Sequence, residues 1–126
     1  MQLTNVLTFL TFTGYATAEC FDSGVDWDDK TFALNSALST CHMQLTGTYG
    51  PESSFSGQKA SCANGKPGSN IKYDFIIKHI KGGEKALGPG ECFEDLRKEI
   101  EGCKKGGRSS YENWQYKADP NEGSCN

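Results

Sequence analysis

Near the end of the chain, "YENWQYKADPN" runs from Tyr111 to Asn121 and sets large aromatics among amides and carboxylates. Sugars present apolar C–H faces and many hydroxyls. A site that binds them uses a ring for the first and short, fixed polar groups for the second, since one amide or carboxylate can meet two hydroxyls. Tyr111, Asn113, Trp114, Tyr116, Asp119 and Asn121 are therefore candidate glycan-binding residues. An ordinary last strand would show the same composition, because strands are enriched in Trp and Tyr.

The inventory for catalysis is thin. His42 follows Cys41 at a helix end and His79 sits late in a strand; a general base needs a partner within reach, and the sequence supplies none beside either. There is no G-x-S-x-G elbow and no H-E-x-x-H. Gly82-Gly83 and Gly106-Gly107 lack the Lys-Ser/Thr of a phosphate-binding loop. His42, His79, Glu84, Glu91 and Arg97 are the residue types of a small ribonuclease, but their spacing selects none of them. The 16 acidic residues offer carboxylate pairs for a glycosidase without singling one out. No catalytic residue, metal or cofactor is expected.

The apolar run "VLTFLTFTGY" (Val6 to Tyr15) precedes Ala16-Thr17-Ala18, a small-x-small cleavage pattern. Residues 1–18 read as a secretory signal removed before Glu19, leaving one glycan-binding domain, 19–126. The run is too short to span a membrane, which takes about 20 apolar residues. Cys20, Cys41, Cys62, Cys92, Cys103 and Cys125 all follow it. An even set behind a signal implies disulfides and an oxidising, extracellular destination. No C-x2-C pair suggests zinc. A net charge of −3 argues against nucleic acid, and Arg97-Lys98, Lys104-Lys105 and Arg108 read as a solvated helix end.

The elements that must position these residues follow from periodicity. Cys20-Phe21 starts a strand. Asp26 is a good N-cap for a helix from Trp27 to Cys41, with Trp27 on its packed side. Thr46 to Tyr49 reads as a strand, followed from Glu52 to Asn70 by a polar stretch that contains Phe55 and Cys62 and then a loop rich in Gly, Asn and Pro. "IKYDFIIKHI" alternates Ile71, Tyr73, Phe75 and Ile77 against Lys72, Asp74 and Lys78, as a strand covered on one face should. Glu84 to Leu87 reads as a short extended piece. A second helix, from Glu91 to Cys103, puts Cys92, Leu96, Ile100 and Cys103 on one face; the two cysteines lie about 16 Å apart and cannot bond to each other. Asn113 to Lys117 reads as a strand and Asp119-Pro120-Asn121 as a turn. In that strand Trp114 and Tyr116 share one face and Asn113, Gln115 and Lys117 the other; periodicity assigns neither to the helices. The fold expected is α+β: an antiparallel sheet of about four strands with two helices on one face, a disulfide-stapled α/β sandwich.

"AECFDSG" after the signal, the Trp27 helix ending in Cys41, "GTY", "EIEGCKKGGRSS" and "NWQYKADPNEGSC" together resemble a family of small secreted fungal cysteine-rich glycan-binding proteins, of the ink-cap mushroom type, over residues 19 to 126. The resemblance implies a lectin without enzymatic activity, whose partners are glycans or glycoproteins carrying N-acetylhexosamine or fucose. Related-looking chains occur among fungal effectors and killer-toxin-like α/β sandwiches, so a secreted defence toxin or effector is the alternative. A small secreted hydrolase is the third reading.

Overall fold

The computed structural model of the chain describes residues 16–126. The elements run β1 (Ala16–Cys20), α1 (Lys30–Met43), β2 (Gly47–Tyr49), β3 (Gln58–Asn64), β4 (Ile71–His79), β5 (Lys85–Leu87), α2 (Pro89–Gly102), β6 (Gly107–Tyr111) and β7 (Trp114–Glu122). Five strands form one antiparallel sheet in the order β1-β6-β7-β4-β3, and β2 pairs with β5 in a separate two-stranded sheet. This is the expected α+β class, with more strands than periodicity predicts. The signal segment lies mostly outside the described residues; Ala16 to Ala18 belong to β1, opposite Tyr111 to Ser109 on β6.

β4 and β7 are the long central pair, in register from Ile71 opposite Glu122 to His79 opposite Trp114. Their side chains alternate. Tyr73, Phe75 and Ile77 from β4, with Trp114, Tyr116 and Ala118 from β7, are buried against the helices. Lys72, Asp74, Ile76 and Lys78, with Gln115, Lys117, Asp119 and Asn121, take the opposite face. The predicted turn at Asp119-Pro120-Asn121 is instead the far end of β7: Asp119 lies opposite Asp74 and Pro120 opposite Tyr73. Proline, with no N–H to give, is tolerated there because β6 pairs with β7 only as far as Ala118.

The polar stretch between Glu52 and Asn70, in which periodicity marks no strand, contains β3, paired with β4 over its whole length. Its inward residues, Lys59, Ser61 and Ala63, are too polar or small to show an apolar period. Ser61 Oγ accepts from Thr40 Oγ1 of α1 (2.5 Å) and donates to Gln44 Oε1, so hydrogen bonds hold β3 beneath the helix. α1 begins later than predicted. Asp29 is its N-cap, accepting from the Phe32 amide at 3.0 Å, whereas Asp26 pairs with Lys105 (2.7 Å) and Lys104 (3.7 Å). Trp27 is packed in the core and its Nε1 donates to the Cys103 carbonyl at 2.9 Å. Asp28 ties the start of α1 to the β3–β4 connection. It accepts from Tyr73 Oη (2.5 Å), Ser69 Oγ (2.8 Å) and the Lys66 amide (2.8 Å). Burial pushes the Asp28 carboxyl up, but these hydrogen bonds outweigh it and hold it below the usual range. Gly65 is needed beside it, since a β-carbon there would lie 2.6 Å from Asp28 Oδ2.

The cysteines pair as Cys20–Cys103, Cys41–Cys92 and Cys62–Cys125. Cys92 and Cys103 have different partners, as helix length requires. Cys41–Cys92 joins helix to helix, with both residues wholly buried; Cys20–Cys103 ties the end of α2 to β1, and Cys62–Cys125 ties the C-terminal tail to β3. Non-reducing peptide mapping should return these three pairs, and replacing Cys41 and Cys92 together by Ala should cost about 2–5 kcal/mol.

α2 also buries carboxyls. Glu99 is 2% exposed, and burial raises its carboxyl above the usual range. Asp95, on the same side, is raised chiefly by burial as well. A raised carboxyl binds its proton more tightly in the folded chain than in the unfolded one. Its contribution is therefore most favourable below the unfolded carboxyl range, about pH 4, and is lost as pH rises through the folded value. Glu99→Gln should raise the melting temperature at pH 7 and change it little near pH 4; equal shifts at both would contradict the assignment.

Candidate functional site

The sheet face turned away from the helices carries a polar groove. Two shallow depressions, of about 410 and 490 Å³, share Lys117, Asp119 and Asn121 as their common floor. On one side the floor continues to Asp74 and Ile76 of β4 and is bounded by Cys62 of β3, which carries the disulfide to the tail. On the other it meets the loop from Phe21 to Gly24, anchored where the Phe21 amide donates to the Gly106 carbonyl at 2.9 Å.

The polar groups of the floor hold one another in place. Asn121 Nδ2 donates to Asp74 Oδ2 at 2.7 Å and to the Asp119 carbonyl at 3.3 Å. Lys117 Nζ lies 3.9 Å from Asp119 Oδ2 and 6.0 Å from the centre of the Phe21 ring. Burial raises the Asp119 carboxyl; the Asp74 charge acts in the same sense, while Asn121 and Lys117 oppose it. The result is a row of fixed acceptors and donors beside a partly exposed aromatic ring.

The six residues predicted from the closing segment do not form one site. Asp119 and Asn121 are in the groove. Trp114 and Tyr116 are not: they are 1% and 0% exposed, so neither can lie under a ligand. Trp114 meets the Tyr49 ring edge-on at 4.9 Å and lies 5.0 Å from His79, ring centre to ring centre. Even positions of β7 face the helices because they pair with the inward residues of β4, and both aromatics are even. Tyr111 is partly buried on the helix side, 6.0 Å from Tyr116 and under Lys98 Nζ at 4.8 Å. Asn113 lies in the β6–β7 turn, its carbonyl accepting from the Ile80 amide at 2.8 Å. Sequence reasoning missed Asp74, Lys117 and Phe21. The outward positions of "IKYDFIIKHI" did signal Asp74; what was missing was that β7 lies beside that strand.

The histidines take structural places. His79 is buried, with Nδ1 2.8 Å from the Gly50 carbonyl and therefore the donor. His42 is exposed, with Nδ1 3.0 Å from the Leu38 carbonyl of its own helix. Among the described residues no group of three or more His, Cys, Asp and Glu has the arrangement of a metal site.

Trp114→Ala should destabilise the domain by about 3–5 kcal/mol, the usual cost of emptying a large aromatic site in a core. Once folded, the variant should bind any ligand of the open face as tightly as the wild type. Thermal melting and ligand titration on the same sample check both. Neither a protein-family model nor a curated protein matches this chain, and the bearing of the groove on function lies in its own chemistry.

Proposed function

We propose that this chain is a secreted, non-catalytic glycan-binding protein and that the open sheet face is its site. The observation that carries the reading is the juxtaposition of the Phe21 ring with Lys117, Asp119, Asn121 and Asp74 on a solvent-facing, disulfide-bounded floor. The ring offers an apolar surface for the C–H face of a pyranose. The carboxylates accept from its hydroxyls, and Lys117 donates to hydroxyl or acetamido oxygens. Since Asn121 and Asp74 already bond each other, little side-chain freedom is lost on binding. N-acetylhexosamine- or fucose-containing glycans are the ligand class that the family resemblance adds. Three disulfides fit an oxidising compartment, and no helix among the described residues is long and apolar enough to cross a membrane.

A glycan array on the purified chain, followed by calorimetric titration, tests this. Asp119→Ala and Asn121→Ala should each weaken binding about tenfold, the loss of one or two hydrogen bonds, and Phe21→Ala by a similar factor, with melting nearly unchanged. Binding should also weaken as pH falls from 7 toward about 4. Asp119, with its raised carboxyl, protonates ahead of an ordinary carboxylate and ceases to be a two-oxygen acceptor. Full affinity in all three variants would remove the groove from consideration.

One observation favours a hydrolase as the second reading: Asp74 and Asp119 stand opposite each other across β4 and β7, and a glycosidase works with two carboxyl groups. Release of reducing sugar from a bound glycan, lost in Asp119→Asn, would replace the lectin reading with that one. Secretion has its own test. N-terminal sequencing of exported protein should begin at Glu19, which removes Ala16 to Ala18 from β1 and leaves Glu19 and Cys20 beside β6.

A further inference from the structure

We propose that the glycan site continues across the open sheet face to Phe55 and takes an uncharged linear oligosaccharide, with one sugar unit at Phe21 and another at Phe55. The inference rests on the glycan-binding reading above and extends it from a single subsite to a trough.

The open face does not end at Asp74 and Ile76. In the register of β3 and β4, Gln58 lies opposite Lys78, Ala60 opposite Ile76 and Cys62 opposite Asp74, and these six side chains share the open face. The depression that holds Asp119 and Asn121 reaches Ala60. A further one, of about 320 Å³, starts at Ala60 and runs to Gln58, Ser54 and Phe55. A third, of about 300 Å³, shares Ser54 and Gln58 and ends at Lys78 and Ile80. The small side chain of Ala60 keeps the passage between the two ends low.

Phe55 stands at the far end with its ring wholly exposed. A lone exposed ring is ordinary, but this one is carried on a closed turn beside the trough. The Gly50 amide donates to the Ser56 carbonyl (2.9 Å), the Ser54 amide to the Pro51 carbonyl (3.1 Å) and the Gly57 amide to the Ser54 carbonyl (3.0 Å). Ser54 Oγ also donates to the Pro51 carbonyl at 2.5 Å. A β-carbon on Gly57 would lie 2.6 Å from that same oxygen, so the turn is close-packed. The turn that bears the ring is therefore fixed before a ligand arrives, as the Asn121–Asp74 pair is toward the other end.

Span and charge specify the occupant. Phe21 continues β1 and Phe55 precedes β3, the two edge strands of the sheet. Four strand spacings of about 4.8 Å put the rings on the order of 20 Å apart. One pyranose cannot touch both; a short chain of them can. Each ring offers a surface to a sugar's C–H face, and between them Asp119, Asn121, Asp74 and Gln58 offer acceptors and donors to hydroxyls. A peptide is served poorly. β7 and β4 are paired on both sides, so the floor has no row of free backbone groups to bond a peptide backbone. The carboxylates Asp74 and Asp119 are matched by Lys117 and Lys78. A polyanion would be repelled by the first pair and a polycation by the second, which leaves an uncharged chain.

The probes are chito-, laminari- and cello-oligosaccharides from the dimer to the hexamer, titrated calorimetrically against the full exported chain. At least one ladder should bind about tenfold more tightly at full length than as the dimer, the gain from a second ring contact. Phe55→Ala should remove that gain and leave dimer affinity and melting unchanged, since the ring packs on nothing. Phe55→Trp should retain the gain. Oligogalacturonates of the same lengths should bind more weakly than the best uncharged ladder. The proposal is overturned if no ladder gains affinity with length, if Phe55→Ala keeps the gain, or if oligogalacturonates bind most tightly. Binding on a glycan array together with any of these results would remove the trough and keep the single-subsite reading. Absence of binding to array and ladders alike would remove both.

Discussion

The register of β4 against β7 is the constraint on which the rest of the molecule depends. Each opposed pair across these strands sends both of its side chains to the core or both to the open face. Because the strand repeat is two residues, a slip by one would turn one strand's inward set to water, either Tyr73, Phe75 and Ile77 or Trp114 and Tyr116, and bring Lys72 and Asp74, or Lys117 and Asp119, under the helices. The penalty for burying those charges is far larger than any single contact in the fold. One register therefore decides both where the aromatics pack and which polar groups form the groove.

The helices reach that sheet under covalent restraint. α2 carries Cys92 near its start and is followed directly by Cys103, bonded to α1 and β1 respectively. Between these bonds α2 places Leu96 and Ile100 in the core, but also Glu99. A buried carboxyl on a helix fixed at both ends is tolerated because loosening the helix would strain two disulfide-bounded connections and expose the apolar stripe. Asp28 acts at the other helix, where hydrogen bonds from the β3–β4 connection make its charge favourable rather than costly.

The surface proposed for glycan recognition follows from how the sheet is covered. The helices cover one face, so the other is free to carry fixed polar groups beside Phe21. α1 is held beside β3 by the Thr40–Ser61–Gln44 hydrogen bonds instead of by an apolar seam. Cys62 bounds the open-face groove, and its bond to Cys125 ties the C-terminal tail to β3.

By itself the sequence determined what local periodicity can encode. The alternation of Tyr73, Phe75 and Ile77 marked β4 and its buried face; the stripe of Cys92, Leu96 and Ile100 marked α2 and ruled out a Cys92–Cys103 bond; Asp119 and Asn121 were recognisable as groups suited to a polar site. Tertiary structure decided the rest, because it depends on partners far away along the chain. β3 has no apolar alternation, and its strand character comes from pairing with β4 and bonding to α1. β7 runs straight through Pro120 because β6 stops short of it. Trp114 and Tyr116 looked as suitable for a ligand as Asp119 until pairing with β4 sent the even positions inward. The disulfides close separations of 51, 63 and 83 residues, distances over which no spacing rule in the sequence can choose one partner above another.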